Sequence, residues 1–152
     1  MVEYRFPIPR VAGSSPVFRS MRKELDRVYS LYIRLRDAEV GGMTRCISCG
    51  KLLPFEKMQC GHYFSRYNLS TRWDERNCNA ECAVCNCNDP NHLIGYKKNL
   101  IKKIGQAEFD ELERLHYEMG EEPSPEEYKA LIKGYKECCR KLARYKGIDV
   151  RI

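Results

Sequence analysis

The sequence predicts an α+β protein in which a short β unit is set among helices, and three observations carry that reading. Two Cys-x-x-Cys pairs, Cys46/Cys49 and Cys82/Cys85, bracket the middle of the chain. Between them, Met58 to Phe64 has the mixed apolar and aromatic make-up of a short strand. On either side, apolar residues recur three and four apart, the period of helices that bury one face.

The length of 152 residues suits one domain with helical additions. The chain divides into an extended basic arm over 1–19, a helix over 20–42, a cysteine-bounded core over 43–105 and closing helices over 106–152. Lys and Arg outnumber Asp and Glu by 27 to 21, and the formal charge of +6 fits an anionic partner. No run of about eighteen apolar residues occurs, so no membrane span is expected. Met1 to Pro7 lacks the pattern of a secretory signal. Nine cysteines without such a signal fit thiolate metal ligands in a reducing cytoplasm, and an odd count disfavours complete disulfide pairing.

The arm carries Pro7, Pro9, Pro16 and Gly13-Ser14-Ser15, with Arg5, Arg10 and Arg19 able to trail along a polyanion. From a Ser20 cap, Met21, Leu25, Val28, Tyr32 and Leu35 make one apolar face that ends before Gly41-Gly42. Arg22, Lys23, Arg27, Arg34 and Arg36 make its solvated basic face. A knuckle and a two-stranded hairpin then span Met43 to Phe64, with His62 near a strand end. Ser65 to Arg76 reads as a polar loop in which Arg66, Arg72 and Arg76 alternate with Tyr67 and Trp73, a composition suited to DNA phosphates and bases. Asp89-Pro90 opens a helix with Leu93, Ile94, Tyr96, Leu100, Ile101 and Ile104 on one side, and Gly105 stops it. Another helix runs from Gln106 to about Met119. Ser124, Pro125 and Glu127 form a capping box for a last helix reaching about Tyr145, with Tyr128, Leu131, Ile132, Tyr135, Cys138, Leu142 and Tyr145 as its stripe.

Cys46, Cys49, Cys82 and Cys85 are the expected zinc ligands, because two knuckles supply the closed four-sulfur shell of a structural site. His62 is the candidate general base: a neutral imidazole between the knuckles could take a proton from an attacking water. Asn86 follows the last zinc cysteine directly, and its side-chain oxygen suits magnesium; its plainer role is a helix cap.

At His62, Asn77 and Asn86 the chain resembles the HNH nuclease finger in its variant with asparagine as third member. The surrounding cysteines are similar to those of phage endonuclease VII, a resolver of branched DNA. The strings Cys-Gly-His-Tyr-Phe-Ser-Arg at 60–66 and Thr-Arg-Trp-Asp-Glu-Arg-Asn-Cys-Asn-Ala-Glu-Cys at 71–82 look closer still to the lambdoid phage NinG (Rap) recombination proteins. That resemblance runs from near Leu25 to about Tyr117. It implies a zinc-bound ββα-metal finger embedded in helices, and a structure-specific endonuclease cutting Holliday junctions and D-loops with magnesium or manganese in the bacterial host cytoplasm. Carried over by position, His62 would be the base, Asn86 the metal ligand and Asn77 the brace of the loop. Many HNH fingers have aspartate before the catalytic histidine, and here that position is Gly61. Asp74, Asn79 and His92 are therefore the candidates for a second magnesium ligand. Symmetric cutting of a four-way junction implies a homodimer, and other recombination proteins are further expected partners. The rival expectation is a zinc-bound DNA-binding module without catalysis.

Overall fold

The computed structural model describes residues 15–152. Helix α1 (Pro16–Asp37) begins four residues before its expected start, because the Ser15 hydroxyl caps Phe18 N and Pro16 takes the first helical position. Of the basic arm, Arg19 is therefore helical, while Arg5 and Arg10 lie outside the described residues. Strands β1 (Met43–Arg45) and β2 (Leu52–Pro54) pair antiparallel around the first knuckle. A single 3-10 turn, Phe55–Lys57, leads into β3 (Met58–His62).

The hairpin expected after the first knuckle is in fact two separate ladders. β3 pairs antiparallel with β4 (Cys78–Cys82), which places His62 opposite Cys78, Gly61 opposite Asn79 and Gln59 opposite Glu81. The sequence hides β4 for a physical reason. Cys78, Ala80 and Cys82 alternate with Asn79 and Glu81, but the strand has no β-branched or aromatic residue, and its polar positions are buried where a pattern of this kind reads as solvent-facing.

The Ser65–Arg76 stretch contains one helical turn, α2 (Leu69–Arg72), capped by Asn68. After β4 the second knuckle runs into a π-helical turn, Val84–Asn88, which contains Cys85 and precedes α3 (His92–Ile104), so His92 opens that helix instead of sitting inside it. Helices α4 (Gln106–His116) and α5 (Pro125–Lys146) complete the chain, and the Ser124/Glu127 capping box starts α5. On α5 it is Cys139, not Cys138, that faces inward, and Tyr145 is 80 % exposed.

α1 lies at the centre and is buried on two sides. Leu31, Leu35 and Ala38 pack with Phe55, Cys139 and Ala143. Tyr29 and Ile33 pack on Cys78, with Cys60 and Trp73 at the margin. On the far side of the β3–β4 hairpin, Tyr96 and Leu100 of α3 meet Phe109 and Leu112 of α4. The hairpin is thus enclosed between α1 and α3, which is how the polar Asn79 and Glu81 of β4 come to be buried with its cysteines and alanine. Arg36, expected on a solvated face, clamps α1 to β4 by donating to the Cys78 carbonyl (2.8 Å) and to Asn79 Oδ1 (3.2 Å). No described helix is long and apolar enough to cross a membrane.

Candidate metal centre and active site

The Sγ atoms of Cys46, Cys49, Cys82 and Cys85 all lie within 4.8 Å of one another. The β1–β2 turn and the end of β4 bring them together. Gly50, at φ 75°, closes the first knuckle, with Gly50 N donating to the Cys46 carbonyl at 2.9 Å. Cys82 N donates to Cys46 Sγ at 3.3 Å and so ties the second knuckle to the first. Leu53, Met58 and Ala80 cover the cluster. Burial pushes the Cys46 and Cys85 thiols up, a cost that a cation removes by holding thiolates. An all-sulfur set of this kind is able to hold a metal such as zinc, with no position left for water.

His62 ends β3 on the face turned toward α1, in a group with Cys60 and Cys78. Its Nε2 stands 2.9 Å from the carbonyl oxygen of Arg72. Burial lowers its pKa from the ordinary 6.5, against the opposing pull of that carbonyl. Asn77 is fully buried beside it. Asn77 Oδ1 accepts from Phe64 N at 2.7 Å, and its Nδ2 donates to the carbonyls of Phe64 and Thr71, each at 3.0 Å. Those bonds fasten the loop that presents the Arg72 carbonyl.

Adjacent strand residues point to opposite faces, so Gly61 looks the other way, toward α3. On that side Asn86 donates through Nδ2 to Gln59 Oε1 at 2.7 Å, and His92 Nδ1 lies 2.6 Å from Glu81 Oε1. Ser48 Oγ also donates to Glu81 Oε1. The structure therefore brings Asn86 and His92 to one face of the hairpin and His62 to the other, with no hydrogen bond joining the two groups among the described residues. Glu81 is the residue that sequence reasoning missed. Its signal was a carboxylate placed two positions from Asn79 and next to a metal-type cysteine, but a charged residue inside an unrecognised strand is read as solvated.

Two magnesium candidates are otherwise engaged. Arg76 grips Asp74 at 3.0 and 2.7 Å, and Asn79 Oδ1 accepts from Lys103 at 2.7 Å as well as from Arg36. An amide oxygen already facing two cations is a poor place for a third.

The loop expected to contact DNA is largely engaged within the fold. Arg72 is buried and pairs with Asp26, which also accepts from Trp73 Nε1 at 3.0 Å. Both side chains thus serve the interior. Arg76 is held by Asp74 and Glu108, while Arg66 stays exposed. A second basic surface escaped notice: a depression lined by Arg36, Arg45, Lys102 and Lys103 around Asp37.

Comparison with known proteins places the chain. Protein ninG of Escherichia phage 933W is 36% identical over 95 residues, 62% of this chain and 45% of the relative. Protein ninG of Salmonella phage P22 is 36% identical and that of Escherichia phage lambda 35% identical, each over 62% of this chain and 44% of the relative. The matches thus span less than half the length of these relatives. No solved structure matches. Residues 17–145 match the family described as Bacteriophage Lambda NinG protein, and the chain belongs to that family.

Proposed function

We propose that this chain is a metal-dependent endonuclease that hydrolyses phosphodiester bonds in branched recombination intermediates, Holliday junctions and D-loops among them. One observation carries the reading: the Nε2–H of His62 is committed to the Arg72 carbonyl, which leaves Nδ1 as the basic nitrogen. Burial keeps the ring neutral at the pH of the cell, the state a general base requires. His62 would take the proton of the attacking water at Nδ1, while Asn77, bonded to the neighbouring Thr71 carbonyl, braces the loop whose Arg72 carbonyl orients the ring.

A divalent cation suits the opposite face, where an amide oxygen on Asn86 and an imidazole on His92 stand beside a buried carboxylate. Magnesium or manganese held there would stabilise charge on the scissile phosphate and the leaving 3′ oxygen. With His62 and Gly61 consecutive at the end of β3, a phosphate lying across that end would meet base and metal from two sides. Arg66 and the Arg45/Lys102 depression supply cations for the backbone, so binding would weaken steeply with salt. Junction shape supplies specificity, and paired cuts across a junction call for a homodimer.

Gly61 favours a second reading, a zinc-bound DNA-binding module without catalysis, because a carboxylate before His62 is missing from the chain. Cleavage of end-labelled Holliday-junction, D-loop and linear duplex DNA with magnesium, manganese or EDTA separates the two. The nuclease reading expects metal-dependent cutting of the branched substrates that His62→Ala abolishes while binding persists. Binding without cutting under every metal would leave the second reading standing.

A further inference from the structure

Gly61 carries no side chain, yet the space beside it holds a carboxylate. A Cβ built on Gly61 would fall 2.8 Å from the Cβ of Glu81, and closer still to Glu81 Oε2. Glu81 stands diagonally across the hairpin from Gly61 and rises from the same face, so its carboxylate fills the volume that a side chain at 61 would need. Either position can supply an acid to this spot, and the two exclude each other.

The state of that carboxylate calls for a cation. Glu81 is 0 % exposed, and its Oε2 has no hydrogen-bond partner. No Lys or Arg pairs with it among the described residues, where its one salt-bridge partner is His92. The other enclosed carboxylates are treated differently: Asp37 has Arg36 and Lys103, and Asp74 has Arg76. A buried carboxylate oxygen left bare is costly unless something positive is bound to it. Around it stand His92 and, in the same row of the hairpin, Gln59 with Asn86 bonded to it.

We propose that Glu81, with His92 and Asn86, forms a divalent-cation site, the carboxylate being supplied from β4 in place of a side chain on residue 61. The proposal rests on the nuclease reading only for what the cation would do; the site itself stands on the geometry. One carboxylate, one imidazole and one amide oxygen suit a six-coordinate ion that keeps several waters. The nitrogen donor favours manganese over magnesium.

The test is manganese binding by the full zinc-loaded chain, read as loss of the free-ion electron paramagnetic resonance signal, with no DNA present. Wild type and Asp74→Asn should bind one manganese with equal affinity. Glu81→Gln, which keeps the shape and an oxygen for Ser48, should weaken binding at least tenfold while zinc content and circular dichroism stay at wild-type values. Should Glu81→Gln fail to fold, His92→Gln decides, with at least a severalfold weakening expected. Manganese binding unchanged in these variants, or absent from wild type, overturns the proposal. Glu81-dependent binding in a protein that cuts no DNA would uphold the site and sink the nuclease reading instead.

Discussion

His62 Nε2 lies 2.9 Å from the carbonyl oxygen of Arg72, and this bond decides which nitrogen of the ring is free to accept a proton. His62→Ala is expected to abolish cleavage of branched DNA while electrophoretic binding is retained. The pH dependence follows from burial, which lowers the His62 pKa below 6.5. Neutral imidazole is then present at full strength above 6.5, and its contribution to both activity and folding is lost as pH falls through the lower folded-state value. The acid limb of the pH–rate profile should therefore lie below 6.5. A limb above that value would show that another group limits the rate.

Asn77 spends its whole side chain on the loop carrying Arg72. Replacing it with alanine strands one backbone N–H and two carbonyls in a buried setting. A loss of about 2–3 kcal/mol in urea denaturation is expected, together with a fall in cleavage as the Arg72 carbonyl moves away from His62. Retained activity in a destabilised protein would separate the brace from the chemistry.

Asp26 gathers Arg72 and the indole of Trp73. Asp26→Ala leaves a nearly buried guanidinium without its counter-charge. Because Asp26 is itself one-third exposed, the expected cost is about 2 kcal/mol, below the 3–5 kcal/mol of a fully buried pair. Denaturant titration followed by Trp73, the single tryptophan, reads it directly.

Gly61→Ala puts a methyl against Glu81 within a strand whose backbone is held by β4. Overpacking of this kind costs about 1–3 kcal/mol. A wild-type melting temperature would show that Glu81 can swing aside.

With zinc in the four-cysteine cluster, its removal should unfold the β elements, since structural zinc supplies on the order of 10–16 kcal/mol in small zinc modules. Chelation is expected to shift Trp73 emission to the red as the hairpin beneath it comes apart. A thiol titration should find Cys46, Cys49, Cys82 and Cys85 protected only while metal is bound. Unchanged fluorescence on chelation would mean that helix packing alone maintains the core.

The metal-type cluster was legible because Cys-x-x-Cys spacing is local: the knuckle geometry is set by a few consecutive residues. The α5 start was legible for the same reason, through Ser124, Pro125 and Glu127. Its inward face was less so, since a stripe drawn through Tyr135, Cys138 and Leu142 misses by one position the Cys139 that meets α1. Arg72 and Trp73 looked like a nucleic-acid surface by composition, but composition does not tell an exposed guanidinium from one that has found Asp26 forty-six residues away.

Sequence alone determined the α+β class, the helical flanks and the four clustered cysteines, all of which arise from short-range periodicity and spacing. It also carried the NinG-type strings around His62 and Asn77. Tertiary structure decided that β3 pairs with β4, that His62 faces α1 while Asn86 and His92 lie on the α3 side of the hairpin, and that Glu81 fills the place left by Gly61. The physical reason is burial on both faces of the hairpin. Once α1 and α3 enclose it, polar side chains are kept by specific partners instead of by water, and those partners lie too far along the chain for any local pattern to announce them.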